Sequence, residues 1–380
     1  VVLRAIASVG PESGEVVFSL RLTERPMPTG SSDPEVLLDW ILESMGLVRR
    51  RLDQSSPIGQ SGALHRIMLE ALLLDPLKGW DSKELGDITG ISNTGIHHQI
   101  VKLRECGLVS VHTEGKWHRH VLRGGSISAA SRLVAAQAKA ILSMRLGELS
   151  SVIIKSETRM QIETEEDPPP FCIRIKENGP RRIGHEAISE LSEDMGLSGE
   201  NPRAGDNLSS RILNELGSNG GPITLLSLSE RMSESRGRVS TVLERMREAG
   251  IAERVPMVDR IPQDIFSGLL RQHDARGEDW LMSRGGLGRL DAGVSQSLLD
   301  GASENTLDIE AVRDILQPVP LADQRVLLNT LGGRMPMGFR VAGSSHERVS
   351  EVVSRSADRT LRRIITVAGR LDSAIMDDKN

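Results

Sequence analysis

The chain has 380 residues, 38% hydrophobic and 26% charged, with a formal net charge of −5. A chain of this length is too long to fold around one hydrophobic core of ordinary size, which predicts two or three domains. Only Cys106 and Cys172 are present, which excludes a disulfide scaffold and a four-cysteine zinc site.

The composition also limits the kinds of partner that the protein is expected to bind. No apolar run reaches the roughly 20 residues of a transmembrane helix, and the apolar start VVLRAIASVG is too short for a signal peptide. We therefore expect a cytoplasmic protein that does not contact membranes. Because the net charge is negative, any role in nucleic-acid binding must depend on local charge. An aromatic content of 2%, without tyrosine, argues against stacking platforms for single strands.

The N-terminal part predicts a β-hairpin followed by a helix. Val1–Leu22 alternates in the manner of two strands, with a turn at Gly10–Gly14. The amphipathic segment PEVLLDWILESMGLVRRRL then predicts a helix with Pro34 in its first turn.

The stretch Asp81–Gly125 is the most informative part of the chain. A helix is predicted before it, within Gln60–Asp75. Asp81 and Glu84 have the spacing of a capping box, which predicts the start of a short helix that ends at Gly90.

A second helix is predicted over Ser92–Glu105. Its apolar positions Ile96, Ile100 and Leu103 form one buried stripe. Gly107 ends this helix, and the chain then predicts a two-stranded hairpin that turns at Glu114-Gly115 and continues through Leu122. This order is typical of a winged helix-turn-helix, whose second helix lies in the DNA major groove.

At these residues the sequence resembles ArsR-type and MarR-type winged-helix transcriptional regulators. The resemblance covers the run ISNTGIHHQIVKLRECGLVSVHTEGKWHRHVL. It implies a winged-helix fold and binding to double-stranded DNA. The Ala- and Leu-rich helix predicted after Gly125 is of a kind that commonly packs on a partner subunit; the alternative is packing on its own domain.

Self-similar segments predict that this unit is duplicated. The matched pairs keep their order along the chain: Phe18–Glu24 with Phe171–Glu177, Glu43–Leu47 with Glu193–Leu197, Lys102–Gly107 with Arg245–Gly250, and Arg123–Gly125 with Arg284–Gly286. The repeat is predicted to end near Ala292.

In the second unit, Ser227 and Glu230 have capping-box spacing, and a buried stripe is predicted at the later helix positions Val239, Leu243 and Met246. Prolines between Val255 and Ile265 argue against a simple hairpin there, so its wing is predicted to be displaced to Leu269–Met282 or absent. Three further helices are predicted: Ile309–Leu316, Leu321–Leu331 and His346–Leu371.

The predicted fold class is α+β and mainly helical, with two tandem winged helix-turn-helix units, each preceded by a strand-helix element, and a C-terminal helical segment. The predicted divisions are 1–60 for the N-terminal hairpin and helix, 61–150 for the first winged helix with its following long helix, 151–205 for the repeated strand-helix element, 206–291 for the second winged helix, and 292–380 for the C-terminal helical module.

The candidate DNA contacts are basic groups for phosphates and short polar groups for base edges. In the first unit they are Ser92, Asn93, Thr94, His97, His98, Lys102, Lys116, His118 and Arg119. In the second unit they are Arg236, Arg238, Ser240, Thr241 and Arg245. Between Ser92 and Gly124, five Lys or Arg residues oppose two Glu residues, which gives a local charge of +3.

Metal binding and catalysis are not predicted. Five of the nine histidines lie between Asp81 and Gly125, and the resembled family includes metal sensors, but the helix segment ELGDITG lacks their thiolates. His185-Glu186 and His346-Glu347 begin a zinc-protease pattern, yet Ser189 and Ser350 stand where its second histidine would be. We therefore expect a non-enzyme without a metal or cofactor.

The sequence thus predicts a sequence-specific double-stranded DNA-binding transcriptional regulator. A homodimer is expected because one recognition helix rarely supplies enough specificity, although the tandem units could act as an internal pseudo-dimer. The alternative is a tandem winged-helix protein-interaction scaffold in chromosome organisation or a transcription complex.

Overall fold

The computed structural model describes residues 16–48, 62–115, 117–154, 167–180, 186–200 and 205–378. These residues are mainly helical and contain three two-stranded antiparallel sheets. The predicted α+β, mainly helical class is therefore confirmed at that level.

The helices are α1 Pro34–Ser44, α2 Ala63–Ile67 (continued by a π-helical turn, Met68–Leu72), α3 Ser82–Thr89, α4 Asn93–Glu105, α5 Ile127–Leu149, α6 Ala187–Asp194, α7 Leu208–Ser218, α8 Leu225–Met232, α9 Arg236–Glu248, α10 Ile261–Arg276, α11 Glu278–Ser283, α12 Ala292–Ser303, α13 Ile309–Leu316, α14 Leu321–Thr330 and α15 His346–Asp378. The strands are β1 Ser19–Thr23, β2 Val109–Glu114, β3 Trp117–Leu122, β4 Cys172–Lys176, β5 Ala252–Pro256 and β6 Met337–Val341.

Strands β1 and β4 form a ribbon that joins the two repeats. They run antiparallel, and Arg21 lies directly opposite Arg174, its counterpart in the predicted repeat. The Glu24 amide donates to the Phe171 carbonyl over 2.7 Å. At the other end of the ribbon, the Glu177 amide donates to the Phe18 carbonyl over 3.0 Å. The ribbon is therefore symmetric about a two-fold axis between Arg21 and Arg174. The first strand of the predicted N-terminal hairpin lies outside the described residues.

Both units place a glycine against this ribbon. Gly46 follows α1 with φ +66°, and Gly196 follows α6 with φ +79°. A Cβ built on Gly46 would lie 2.6 Å from the Cβ of Arg21, and one on Gly196 would lie 3.0 Å from that of Arg174. Glycine is required at these positions because the left-handed turn and the close approach both exclude a side chain.

The long helices α5 and α15 pack antiparallel across the same pseudo-two-fold axis. At one end, the Asp372 carboxylate accepts hydrogen bonds from the Ile127 and Ser128 amides at 3.2 and 3.1 Å. At the middle, Lys139 forms an ion pair with Asp358, which lies 219 positions later in the chain. Since Ser126 and Ser345, which precede α5 and α15, are separated by the same 219 positions, Lys139 and Asp358 are counterparts that meet at the axis.

The second hairpin is formed by strands that are far apart in sequence. Strand β5 pairs with β6, with Pro256 opposite Met337. The predicted displacement of the wing to Leu269–Met282 is wrong, because α10 and α11 occupy that segment. The expectation that the prolines exclude a simple hairpin is confirmed, since the whole of residues 257–336 separates the two strands.

The repeat consequently extends to the end of α15. Gly124, with φ +70°, leads from β3 into α5, and Gly343, with φ +62°, leads in the same way from β6 into α15. The predicted match of Arg123–Gly125 with Arg284–Gly286 is therefore wrong, and so is the predicted end of the repeat near Ala292. The helices predicted at Ile309–Leu316, Leu321–Leu331 and His346–Leu371 are confirmed as α13, α14 and α15.

Two hydrophobic clusters make up the described core. The larger cluster combines buried residues of both units, including those of α5 and α15. The smaller is formed by α10–α14, between Ile261 and Leu331. We refer to residues 258–335 as the helical insert; its eight Arg and twelve Asp or Glu residues give it a net charge of −4. The predicted division at residue 291 falls inside this second cluster.

Candidate nucleic-acid interface

The turn between α3 and α4 positions α4, the helix that the sequence predicts to be the first recognition helix. The Asp81 carboxylate accepts from the Lys83 and Glu84 amides at 2.9 and 2.8 Å, and the Glu84 side chain accepts from the Asp81 amide at 3.1 Å. The predicted capping box is confirmed. Gly90 ends α3 with φ +65°, and the Ser92 hydroxyl accepts from the Gly95 amide at 3.3 Å to begin α4.

Helix α4 buries one face and exposes the other. Ile96 and Leu103 are fully buried and Ile100 is 2% exposed, which confirms the predicted stripe. The opposite face presents the predicted short polar groups to solvent: Ser92, Asn93, Thr94, His97 and His98. Such donors and acceptors are suited to hydrogen bonds with base edges.

Helix α9 is built in the same way. Val239, Leu243 and Met246 are fully buried, as predicted. The Ser235 hydroxyl accepts from the Arg238 amide at 3.3 Å, as Ser92 does in α4. The predicted capping box of Ser227 with Glu230 is wrong, because α8 begins three residues earlier at the N-cap Thr224.

The predicted contacts of α9 differ in their exposure and in their neighbours. Arg236 and Thr241 are exposed, and Ser240 is half-buried. Arg238 forms ion pairs with Glu234 at 2.6 Å and Asp206 at 3.0 Å. Thr241, Ser240 and Arg245 also line a cleft beside the β1–β4 ribbon.

The cleft lies between the ribbon and α9 and has a volume of about 670 Å³. A second cleft is lined by the same two ribbon arginines, Arg21 and Arg174, and by Lys102 of α4, the counterpart of Arg245. Arg21 forms an ion pair with Glu200 at this site. Burial, together with the nearby Arg21, lowers the pKa of Arg174. The ribbon arginines were missed as candidate site residues, although the repeated Phe18–Glu24 motif contains the first of them.

The β2–β3 hairpin carries an exposed tip. Glu114 pairs with Trp117, so the strands are joined by a two-residue connection. Trp117 is 62% exposed, and His118 is exposed with its Nδ1 3.5 Å from the Thr113 hydroxyl. Lys116 lies outside the described residues. Trp117 was also missed, since a lone tryptophan in a strand has no distinguishing sequence signal.

Arg119 faces the body of the domain. Its guanidinium lies 3.2 Å from Glu84 and 3.4 Å from Asp81, and it donates to the Gly79 carbonyl over 3.3 Å. Arg123 likewise donates to the Gly107 carbonyl over 2.8 Å. Arg119 and Arg123, two of the five basic residues behind the local charge of +3, therefore bind groups within the unit. They do not contribute to an open cationic surface.

His120 is the buried histidine of this hairpin. Its backbone exchanges hydrogen bonds with Trp80 at 2.9 and 2.7 Å, its side chain is 5% exposed, and its Nδ1 has no partner among the described residues. Burial lowers the pKa of His120 to about 4, and the positive charge of Arg104 acts in the same direction.

We expect His120 to make folding pH-dependent. Because its pKa falls from 6.5 to about 4 on folding, the unfolded chain binds the extra proton between these values. Stability is then fully present above about pH 6.5 and declines by up to about 3 kcal/mol as the pH falls through 4. Urea denaturation at pH 7 and pH 4.5 measures this loss. The His120→Gln variant should lose clearly less stability than the wild type between pH 7 and pH 4.5. If both proteins lose the same amount, other titrating groups cause the pH dependence.

The two cysteines differ in environment. Cys106 is buried where α4 ends, its thiol donates to the Leu103 carbonyl over 3.3 Å, and burial raises the pKa of Cys106 to about 12. Cys172 is half-buried in β4, where its sulfur accepts from the Arg21 Nε over 3.4 Å.

A thiol reagent at pH 8 should therefore modify Cys172 in the native protein and reach Cys106 only after unfolding. Titration with a chromogenic disulfide should count one thiol natively and two in denaturant. Native Cys172→Ser should show no rapid reaction; a rapid reaction of that variant would mean that the end of α4 opens readily.

The described residues contain no group of three or more His, Cys, Asp or Glu side chains that could hold a metal ion. In the same part of the chain, no helix is both long and apolar enough to cross a lipid bilayer.

Comparisons with known protein families, with curated proteins and with solved structures gave no match for this chain.

Proposed function

We propose that each repeat is a winged helix-turn-helix and that the chain is a sequence-specific double-stranded DNA-binding transcriptional regulator. The two units act as an internal pseudo-dimer joined by the β1–β4 ribbon and the α5–α15 pair. Operators of dimeric regulators mirror the symmetry of the protein, and here one chain supplies that symmetry.

One observation carries this proposal: two equivalent helices expose their polar N-terminal halves. Helices α4 and α9 each follow a left-handed turn, at Gly90 (φ +65°) and Ser233 (φ +54°), and each is capped by a serine. The first turn of a recognition helix is the part that meets base edges, and the amides of a helix N-terminus favour phosphate oxygens.

A salt titration tests the proposal. Counterion release predicts that the logarithm of the affinity for a duplex falls steeply and linearly with the logarithm of the salt concentration. Asn93→Ala combined with His97→Ala should remove the preference for a selected duplex over its scrambled version, by roughly 10-fold or more, while most non-specific affinity remains. The matched control is Thr366→Ala with Ser373→Ala on the exposed face of α15, which should change neither quantity.

The acidic helical insert favours a second function, that of a protein-interaction scaffold. It replaces the tip of the second hairpin with a separately packed module of net charge −4. Under this alternative the full chain binds no duplex even at low salt, and the double Ala variant of α4 has no binding to lose.

A further inference from the structure

The first residues of the two recognition helices occupy equivalent positions but differ in chemistry. Asn93 follows the N-cap Ser92, and Arg236 follows the N-cap Ser235. Both side chains are exposed. The separation of 143 positions is the same as that between the matched segments at Lys102 and Arg245.

These two side chains prefer different bases. An asparagine amide matches the pattern that adenine presents, because its Nδ2 can donate to N7 while its Oδ1 accepts from the N6 amino group. An arginine guanidinium has donors alone and matches the two acceptors O6 and N7 of guanine. Equivalent helices would therefore select adenine in one half-site and guanine at the corresponding position of the other.

The hairpins differ as well. The β2–β3 hairpin has a short connection with Trp117 exposed at its tip. The β5–β6 hairpin is interrupted by the helical insert with its net charge of −4. Since phosphates repel an acidic module, only the first unit presents a hairpin tip suited to the DNA backbone.

The geometry points to a duplex with two unlike inverted half-sites as the ligand, with an adenine selected by Asn93 and a guanine by Arg236. The inverted arrangement follows from the pseudo-two-fold axis between Arg21 and Arg174. This inference rests on the proposed function and adds to it the class of DNA that is recognised: a site that is symmetric in spacing and asymmetric in sequence.

Selection from a pool of random duplexes with the full chain tests this inference. The wild-type protein should enrich sites whose half-sites carry A at one position and G at its symmetry mate. Asn93→Arg should convert the enriched sites to G at both positions, and Arg236→Asn should convert them to A at both. Each variant should prefer its palindrome over the wild-type site by roughly 10- to 100-fold.

The outcomes separate the inference from the function on which it rests. Enrichment of a palindrome by the wild-type protein, or variants that keep the wild-type preference, would overturn the assignment of Asn93 and Arg236 while leaving DNA binding established. Failure of the wild-type chain to enrich any duplex would overturn the proposed function itself. Thermal unfolding of both variants serves as the folding control, since both positions are exposed.

Discussion

Replacing Arg145 with isoleucine should lower the free energy of unfolding by about 3 kcal/mol. Arg145 lies in α5 and is only 4% exposed. It forms an ion pair with Asp194 of α6 and donates to the Lys176 carbonyl over 3.1 Å. Removal of the guanidinium leaves a buried carboxylate with one cation, Lys176, whose Nζ lies 2.9 Å away. Because Lys176 still compensates part of the Asp194 charge, the expected loss of stability is at the lower end of the range of about 3–5 kcal/mol for a broken buried ion pair.

The other repeat supplies the compensating change. The counterpart of Arg145 is Ile364 in α15, and the counterpart of Asp194 is Ser44 in α1; both are buried. The double substitution Arg145→Ile with Asp194→Ser replaces the buried ion pair by the same uncharged residues that the other repeat has at these positions. Replacing both members of a buried ion pair is often neutral or stabilising, so the double variant should recover most of the stability that the single variant loses.

Urea denaturation of the wild-type protein, both single variants and the double variant closes this double-mutant cycle. A positive coupling of at least about 2 kcal/mol is expected. If the losses of the two single variants simply add, the buried pair is not the source of the cost, and the equivalence between α5 and α15 does not extend to this contact.

Local features of this fold could be predicted from the sequence because they depend on neighbouring residues. The Asp81–Glu84 capping box and the buried stripes of α4 and α9 are fixed by spacings of three and four residues. The missed N-cap Thr224 shows the limit of such patterns: Ser227 also satisfies the spacing, and the bridge from Ile223 to Phe339 favours the earlier start.

The pairing of distant strands could not be predicted in the same way. Strand β5 resembles an isolated strand in sequence because its partner β6 lies beyond the whole helical insert. The ribbon of β1 with β4 was visible as two similar segments, but similarity does not indicate that the copies pair with each other. Both pairings depend on the pseudo-two-fold arrangement of the complete chain.

Charge was the least predictable property of the candidate site. Arg119 and Arg123 contribute to the basic count of the first unit, yet both guanidinium groups lie against carboxylates or carbonyls of that unit. A count along the chain does not distinguish a cation that faces solvent from one that holds the hairpin on α3. Asn93 and His97, in contrast, were placed correctly on the exposed face by helical periodicity alone.

If the chain binds duplexes as proposed, removing the helical insert should strengthen that binding by about tenfold at low salt. The Met257 amide donates to the Pro336 carbonyl over 2.8 Å, which continues the ladder beyond Pro256 and Met337. Residues 258–335 can therefore be replaced by Asn-Gly, the preferred sequence for a two-residue hairpin turn. The replacement removes a net charge of −4 and gives the second hairpin a short tip like that of the first.

The fold of the remainder should survive this replacement because α10–α14 form their own hydrophobic cluster. Circular dichroism should show the loss of those helices and one remaining cooperative transition.

A second variant separates the effect of charge from the effect of bulk: Asp274→Asn, Asp279→Asn and Glu304→Gln neutralise three exposed carboxylates and keep the insert. If repulsion between the insert and phosphates is the cause, this variant should show a large part of the gain and a similar dependence on salt. If the shortened chain folds but binds duplexes more weakly than the wild type, the insert contributes to DNA binding, and the assignment of phosphate contacts to the first hairpin alone is wrong.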